Sequence, residues 1–401
     1  MSVSLFDPEV FQNPFPIYQQ LRHNAPVHYE ESMYYWMISR HADVLELLKS
    51  NRVTSQIPPI RPRGPMSDEV AAQQASNGQM MDNWLNFVEP SKHRGMRNMV
   101  SKGFLPRIVE GMRADVRALV HRLLDKVQDN EEMDVPEDFG YPLALGVIGD
   151  LFGVPEEDHP LIKDWAHKMI TYFNDVSYCD PNAIGGMHQV RTEMGAYLVA
   201  MVEERSKNLG DDFMSALIVA MNEDKIEKHW LIMNLIFLLF AGHETTVNLI
   251  GNGVKALLDN PDQYRILQEK PDLIPTAVEE FLRFGSPAQY TGRMTVEEIE
   301  VSGVTIGAGQ QLILLLGSAN RDESVFENAE QLDIRRDPNP HLGFGQGTHY
   351  CLGAPLARLE AFEAFSALLE RCPNMKANGE PRLRFAPALR GYEHLPISWQ
   401  K

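Results

Sequence analysis

Cysteine is scarce in this sequence: Cys179, Cys351 and Cys372 are the only thiols in 401 residues. Three cannot all pair, and no C-x-x-C occurs. A disulfide framework is therefore excluded and a reducing compartment is indicated. Basic residues are also outnumbered, with 37 Lys and Arg against 55 Asp and Glu, for a formal charge of −18. A surface of that sign repels phosphate and anionic lipid, so neither nucleic acid nor a membrane is an expected partner. Long apolar runs are missing too. The longest, Leu231 to Ala241, is interrupted by Asn234 and falls short of the ~20 residues that span a bilayer. The opening MSVSLFDPEVFQNPF has neither a basic n-region nor an apolar h-region, so no secretory signal is expected. The chain reads as soluble and cytoplasmic.

What is present is the composition of a packed globular protein, 44% hydrophobic and 23% charged, which excludes collagen-like and disordered chains. A short helix is expected at Pro16–Asn24. An aromatic hairpin follows, Val27-His28-Tyr29 answered by Tyr35-Trp36-Met37-Ile38, and then a helix over His41–Lys49. Residues 52–83 hold Pro58, Pro59, Pro62 and Pro65 and then a Gln/Met-rich run, which predicts a long loop. From Ser91 to about Leu258 helical patterns dominate, at Val109–Val127, Leu143–Phe152, Leu161–Phe173 and Val190–Lys207. Strand character returns at Ile299–Ile306, turned at Ser302-Gly303, and at Gln311–Leu316. No repeat and no compositional break interrupts the chain. Residues 1–401 read as a single domain, mainly α with a small β component.

The longest helical candidate, His229 to Leu258, is apolar on nearly every side through LIMNLIFLLFAG, which argues for burial. Into it the chain inserts Gly242-His243-Glu244-Thr245-Thr246. Glycine and paired threonines weaken a helix, and a carboxylate is costly to bury without partners. Local rules broken at one spot mark a candidate site. A zinc-protease H-E-x-x-H fails because position 247 is valine. A kinked core helix with satisfied polar groups and an acid–alcohol pair beside a buried cofactor both remain.

A second candidate is Phe344-Gly345-Gln346-Gly347-Thr348-His349-Tyr350-Cys351-Leu352-Gly353, leading into a helical run from Ala354. A lone cysteine is usually a buried small hydrophobe. Here the glycines permit a tight loop whose N–H groups point at the sulfur, and the following helix offers its positive end. Both effects favour thiolate. Neither a P-loop nor a dinucleotide fingerprint fits the glycine spacing, and a zinc site needs more ligands.

The loop F-G-x-G-x-H-x-C-x-G resembles the haem-binding loop of the cytochrome P450 superfamily. Ala241-Gly242-His243-Glu244-Thr245 is similar to that family's A-G-x-[DE]-T element, and Glu280-Phe281-Leu282-Arg283 to its E-x-x-R element. The resemblance runs from Asn13-Pro14 to Leu389-Arg390-Gly391. It implies the cytochrome P450 fold, with a long central helix over haem b, and a soluble bacterial-type haem-thiolate monooxygenase using O2 as co-substrate.

By the same resemblance, Cys351 is the axial ligand of the iron, where thiolate favours O–O cleavage. Phe344, Gly345, Gly353 and Ala241 border the cofactor. His93 and Arg97, four apart, together with Arg293 and His349, neutralise the haem propionates. Thr245 supplies the hydroxyl beside bound oxygen, and Glu244, with His243 or water, feeds it protons. Glu280, Arg283 and Arg336 form a buried structural network.

No flavin or iron–sulfur domain is visible, so electrons are expected from a ferredoxin or flavodoxin with an NAD(P)H-dependent reductase. Arg94, Lys102, Arg107 and Arg358 are candidates for docking it, against the alternative of solvated surface charge. Met80, Met81, Phe87, Met169, Tyr172 and Phe173 suggest an apolar substrate cavity, though core packing explains them equally. AGHETTVNLIGNGV is similar to members acting on polyketides, macrolides or acyl chains, with the substrate free or bound to a carrier protein. A peroxygenase, decarboxylase or oxidative-coupling enzyme of the same haem type, and a non-catalytic haem sensor, are the other readings.

Overall fold

The strands Val27–Glu30 and Tyr35–Ile38 form the antiparallel hairpin that the alternation predicts, Val27 opposite Ile38 and Glu30 opposite Tyr35. Tyr35–Ile38 also runs parallel to Gln311–Leu314, which pairs antiparallel with Thr291–Thr295, and Val53–Thr54 closes the sheet. Successive strand residues face opposite sides. Ile38, Leu312 and Leu314 thus pack with Val44, Leu47 and Leu48 of the helix His41–Lys49. Tyr35 and Met37 meet Tyr18 and Leu21 of the helix Phe15–Asn24. Both faces are covered, so the sheet is a true interior layer.

The computed structural model describes residues 4–56, 64–88, 90–175, 179–210, 212–223 and 226–400. The chain divides into two compact units. The first comprises Met1–Thr54, Val109–Leu143 and Thr245–Lys401, and the second Ser55–Ile108 with Ala144–Glu244. Every described strand belongs to the first, and the second is helical. One passage between them falls inside the longest helix, Lys228–Asp259, between Glu244 and Thr245.

That helix has 32 residues and is long and apolar enough to cross a bilayer by length and composition. Its apolar window is 72% buried within the protein, the condition of a core helix. Gly242 lets it pack closely: a Cβ there would lie 2.8 Å from Ile148 Cδ1 of the helix Tyr141–Phe152.

Three expectations are corrected. The loop predicted over residues 52–83 contains a strand and a helix, Asp68–Asp82. Ser67 caps that helix by accepting from Val70 N–H at 3.3 Å, and Asp68 and Glu69 suit its positive first turn. Pro58, Pro59 and Pro62 lie outside the described residues. The helix expected at Val109–Val127 is two, Pro106–Gly111 and Arg113–Val127, and Val190–Lys207 begins with a wide π turn, Val190–Met194. Short strands such as Glu132–Asp134, Lys376–Ala377 and Pro396–Ser398 were not predicted, because two or three residues carry no periodicity. Ile299–Val301 and Val304–Ile306 form the expected hairpin, with positive φ at Ser302 (45°) and Gly303 (79°).

Glu280 and Arg283, one turn apart on the helix Ile274–Gly285, are fully buried and joined by two bonds of 2.7 Å. This excludes an exposed ion pair. Arg283 donates further to the carbonyls of Asn320 (2.9 Å), Ala329 (2.8 Å) and Gln331 (3.0 Å). Glu280 accepts from Asp333 N (2.9 Å), Arg336 Nε (3.1 Å) and Asn339 Nδ2 (3.1 Å). The expected membership of Arg336 is met. Removing one charge strands the other in the interior, at a cost of about 3–5 kcal/mol. Arg283→Leu is expected to lower urea-unfolding stability by that amount, whereas Arg265→Leu, on an exposed ion pair, is expected to change it by less than about 1 kcal/mol.

Candidate active site

The loop before Cys351 is anchored to that buried network. Asn320, whose carbonyl holds Arg283, accepts from Leu342 N–H through its side chain at 2.6 Å. Gly345 N–H then bonds Leu342 O (2.8 Å), and Cys351 N–H bonds Phe344 O (2.9 Å), closing the loop on itself. Gly347 has φ 72°, and a Cβ there would lie 2.7 Å from Leu48 O, so only glycine fits. Three residues beyond Cys351 the helix Ala354–Arg371 begins, presenting its positive end to this stretch of chain.

The three cysteines differ in setting. Cys372 is buried, and loss of solvent pushes its thiol up to about 12, despite Arg371, so it stays protonated. Cys179 is partly buried, and Cys351 is exposed. Around Cys351, Phe344, Gly345, His349 and Gly353 are partly buried. Gly353 leaves the sulfur side open: a Cβ there would come no nearer than 4.0 Å to Cys351 Sγ.

A clamp not foreseen from sequence holds both ends of the loop. Arg358 grips Glu279 with two bonds (2.6 and 2.8 Å), reaches Tyr350 OH at 3.3 Å and lies 4.6 Å over the Phe344 ring. His341 Nδ1 accepts from Gly343 N–H, which leaves Nε2–H to donate to Glu279 at 3.0 Å. Arg358, one candidate for docking the electron partner, has its guanidinium engaged by Glu279. Arg94, Lys102 and Arg107 are exposed, on the helical unit. Glu279 could have been suspected only as the neighbour of Glu280.

Arg293, on the strand Thr291–Thr295, is buried and held by its own strand, donating to Gly292 O (2.7 Å) and Thr291 Oγ1 (3.2 Å). Among the described residues no carboxylate pairs with it, and burial alone lowers its pKa to about 10. A buried guanidinium still charged at neutral pH calls for an anion. Thus the first unit carries a thiol in an open, glycine-turned loop and a buried cation without an acid, a donor set that fits an iron porphyrin bearing carboxylates.

In the helical unit, His93 and Arg97 lie on the helix Pro90–Ser101. His93 is buried, and burial first, then the Arg97 charge, lowers its pKa. On the long helix, Phe237, Ala241 and Thr245 recur every four residues and share one partly accessible face, while His243 and Glu244 are fully buried. His243 Nδ1 donates to Leu239 O at 2.6 Å, and Nε2 faces Glu244 Oε1 at 3.6 Å.

Of the proposed cavity residues, Met80 and Met169 are 1% and 0% exposed and belong to the packed interior. Phe87 and Phe173 instead join an aromatic cluster around Trp84, with ring centroids 6.2 Å from it, and Phe237 lies 5.2 Å away. Trp84 and Phe237 were not singled out from sequence.

Glu279 makes the loop acid-sensitive. Burial would raise its carboxyl, but the bonds from Arg358 and His341 outweigh this and hold it at about 2, against 4.5 for the free group. Its folded pKa is depressed, so the stabilisation is complete above pH 4.5 and is lost as pH falls towards 2. Allowing for partial exposure, it is worth on the order of 2 kcal/mol. Denaturant titrations at pH 6 and pH 3 are expected to show a smaller acid loss in Glu279→Gln than in the parent chain.

Comparison with known proteins gives the family. The cytochrome P450 family model matches residues 62–384. The chain is 38% identical over 395 residues to the biotin biosynthesis cytochrome P450 of Bacillus subtilis (strain 168), covering 98% of each. It is 33% identical over 405 residues to the polyketide biosynthesis cytochrome P450 PksS of the same organism, covering 98% of this chain and 97% of that one. The crystal structure of P450BioI in complex with hexadec-9Z-enoic acid ligated acyl carrier protein superposes with a TM-score of 0.88 at 37% identity, over 98% of this chain and 100% of that one. The protein belongs to the cytochrome P450 family and is a P450 monooxygenase, a haem-iron enzyme that uses O2.

Proposed function

We propose that the protein inserts one oxygen atom into an apolar acyl or polyketide-like substrate, free or held on a carrier protein, by hydroxylation or epoxidation. The observation that carries the reading is Cys351, the exposed thiol of the three, at the end of a loop anchored to the buried Glu280–Arg283 pair. The substrate class rests on relatives: one is a biotin biosynthesis cytochrome P450, another a polyketide biosynthesis cytochrome P450, and P450BioI was captured with an acyl carrier protein.

Haem b bound at Cys351 supplies electron transfer and O2 activation. Cys351 as thiolate would hold the iron, with Phe344, Gly345, Gly353 and Ala241 as neighbours. Arg293, His349, His93 and Arg97 would neutralise the propionates. Thr245, on the partly accessible face of the long helix, would supply its hydroxyl beside bound oxygen. Glu244, buried one residue away beside His243, would hold a proton and pass it towards that hydroxyl through water. Glu280, Arg283 and Arg336 would act through folding and haem retention. Electrons would come from a ferredoxin or flavodoxin with an NAD(P)H-dependent reductase, in the cytoplasm, and residues 1–401 would act as one catalytic body.

The ferrous–CO difference spectrum is expected to show the red-shifted Soret band of a thiolate ligand, lost in Cys351→Ser; an unchanged band in that variant refutes the assignment. Thr245→Ala is expected to keep haem while product formed per NAD(P)H falls at least several-fold and hydrogen peroxide rises, and full coupling would exclude the role. Arg293→Gln is expected to release haem faster to an apomyoglobin acceptor.

A further inference from the structure

The helical unit holds a concavity of about 350 Å³, which none of the candidate site residues described above lines. Its walls come from the wide turn Val190–Met194, the helix Gly195–Lys207 and the first turns of the long helix. A volume of that size lies at the small end of the range for small-molecule sites.

Its lining divides by chemistry. Val199, Ile232 and Met233 supply an apolar floor, Arg191 and Lys228 supply positive charge, and His229 adds an imidazole. Lys228 is neutralised by Glu203 at 2.6 Å. Arg191 is not: its Nε is shielded from solvent with no hydrogen-bond partner, and no carboxylate among the described residues pairs with it. The nearest acid in sequence, Glu193, is engaged by Gln189 (2.8 Å) and Trp165 (3.5 Å). The wall therefore carries one uncompensated charge, on a planar donor suited to a carboxylate.

Two further features keep the space open. At Gly195 a Cβ would meet nothing within 4 Å, so glycine leaves room that packing did not require. The wide turn that carries Arg191 interrupts regular helix, a departure that recurs at functional sites.

We infer that this concavity binds a small anionic amphiphile, a monocarboxylate with a short aliphatic body: the carboxylate on Arg191 and the chain against Val199, Ile232 and Met233. The lining shares no residue with the cysteine loop or with Phe237, Ala241 and Thr245, and the inference holds whatever the substrate proves to be.

The test is calorimetric titration of the full-length, haem-loaded protein with octanoate, and with octanol as the uncharged control. Saturable binding is expected, at least about tenfold weaker for octanol and for Arg191→Gln, the loss of one charge-assisted hydrogen bond. Arg191→Lys is expected to stay within a few-fold of the parent, and Gly195→Leu to abolish binding by filling the space. An intact ferrous–CO spectrum checks that each variant is folded. Octanoate binding that survives Arg191→Gln, or that octanol matches, overturns the inference, as does the absence of saturable binding. Binding that shifts the haem Soret band and persists in Gly195→Leu would place octanoate at the haem instead, and likewise overturns it.

Discussion

Taking Glu280 and Arg283 out of all contact with water obliges every remaining donor and acceptor of the pair to find a partner in the protein. Those partners are backbone carbonyls at Asn320, Ala329 and Gln331 and donors at Asp333, Arg336 and Asn339. Residues 320–340 contain little regular structure that could set their path. The ion pair does so instead, gathering them around one helix. The segment then delivers Leu342 to Asn320, and the cysteine loop starts from a fixed point. A charged core is a weak source of net stability but a demanding specifier of geometry, and the loop inherits that geometry.

The loop is held a second time, by Glu279 with Arg358 and His341. Adjacent glutamates on one helix thus serve two tasks, Glu280 shaping the approach to the loop and Glu279 tying its ends to the helix that follows. The sulfur of Cys351 sits between these fixed ends on glycine-permitted backbone. Rigidity comes from the surrounding ion pairs and from the close approach of Gly347 to Leu48 O, and openness from the missing side chain at Gly353. A ligand-bearing residue needs both, since a loosely held donor loses the orientation on which its chemistry depends.

The long helix resolves its conflict of polarity differently. Its carboxylate and imidazole are fully buried, with His243 bonded back to Leu239, while Ala241 and Thr245 share the partly accessible face. Gly242, which weakens the helix by propensity, is matched to the close approach of Ile148. The feature that reads as a local defect is a packing requirement on one side and a line of access on the other.

Much of this was legible in residue order. The spacing of glycines, histidine and cysteine from Phe344 to Gly353, the run Ala241–Thr245 and the pair Glu280/Arg283 are short-range patterns, and the backbone geometry they need is local. The hairpin Val27–Ile38 and its alternation belong to the same class. By itself, the sequence determined the mainly helical character and the family, and it singled out Cys351 as the candidate thiol. Tertiary structure alone decided that Arg358 belongs to Glu279, that Trp84 gathers Phe87, Phe173 and Phe237, that residues 68–82 form a helix, and that Arg191 faces a concavity without an acid. The physical reason is range. Helical periodicity and turn chemistry act over a few residues, whereas Glu279 meets Arg358 across 79 and Trp36 meets Leu312 across the whole middle of the chain. Contacts of that separation leave no local signature, because the chain folds to satisfy burial and charge together.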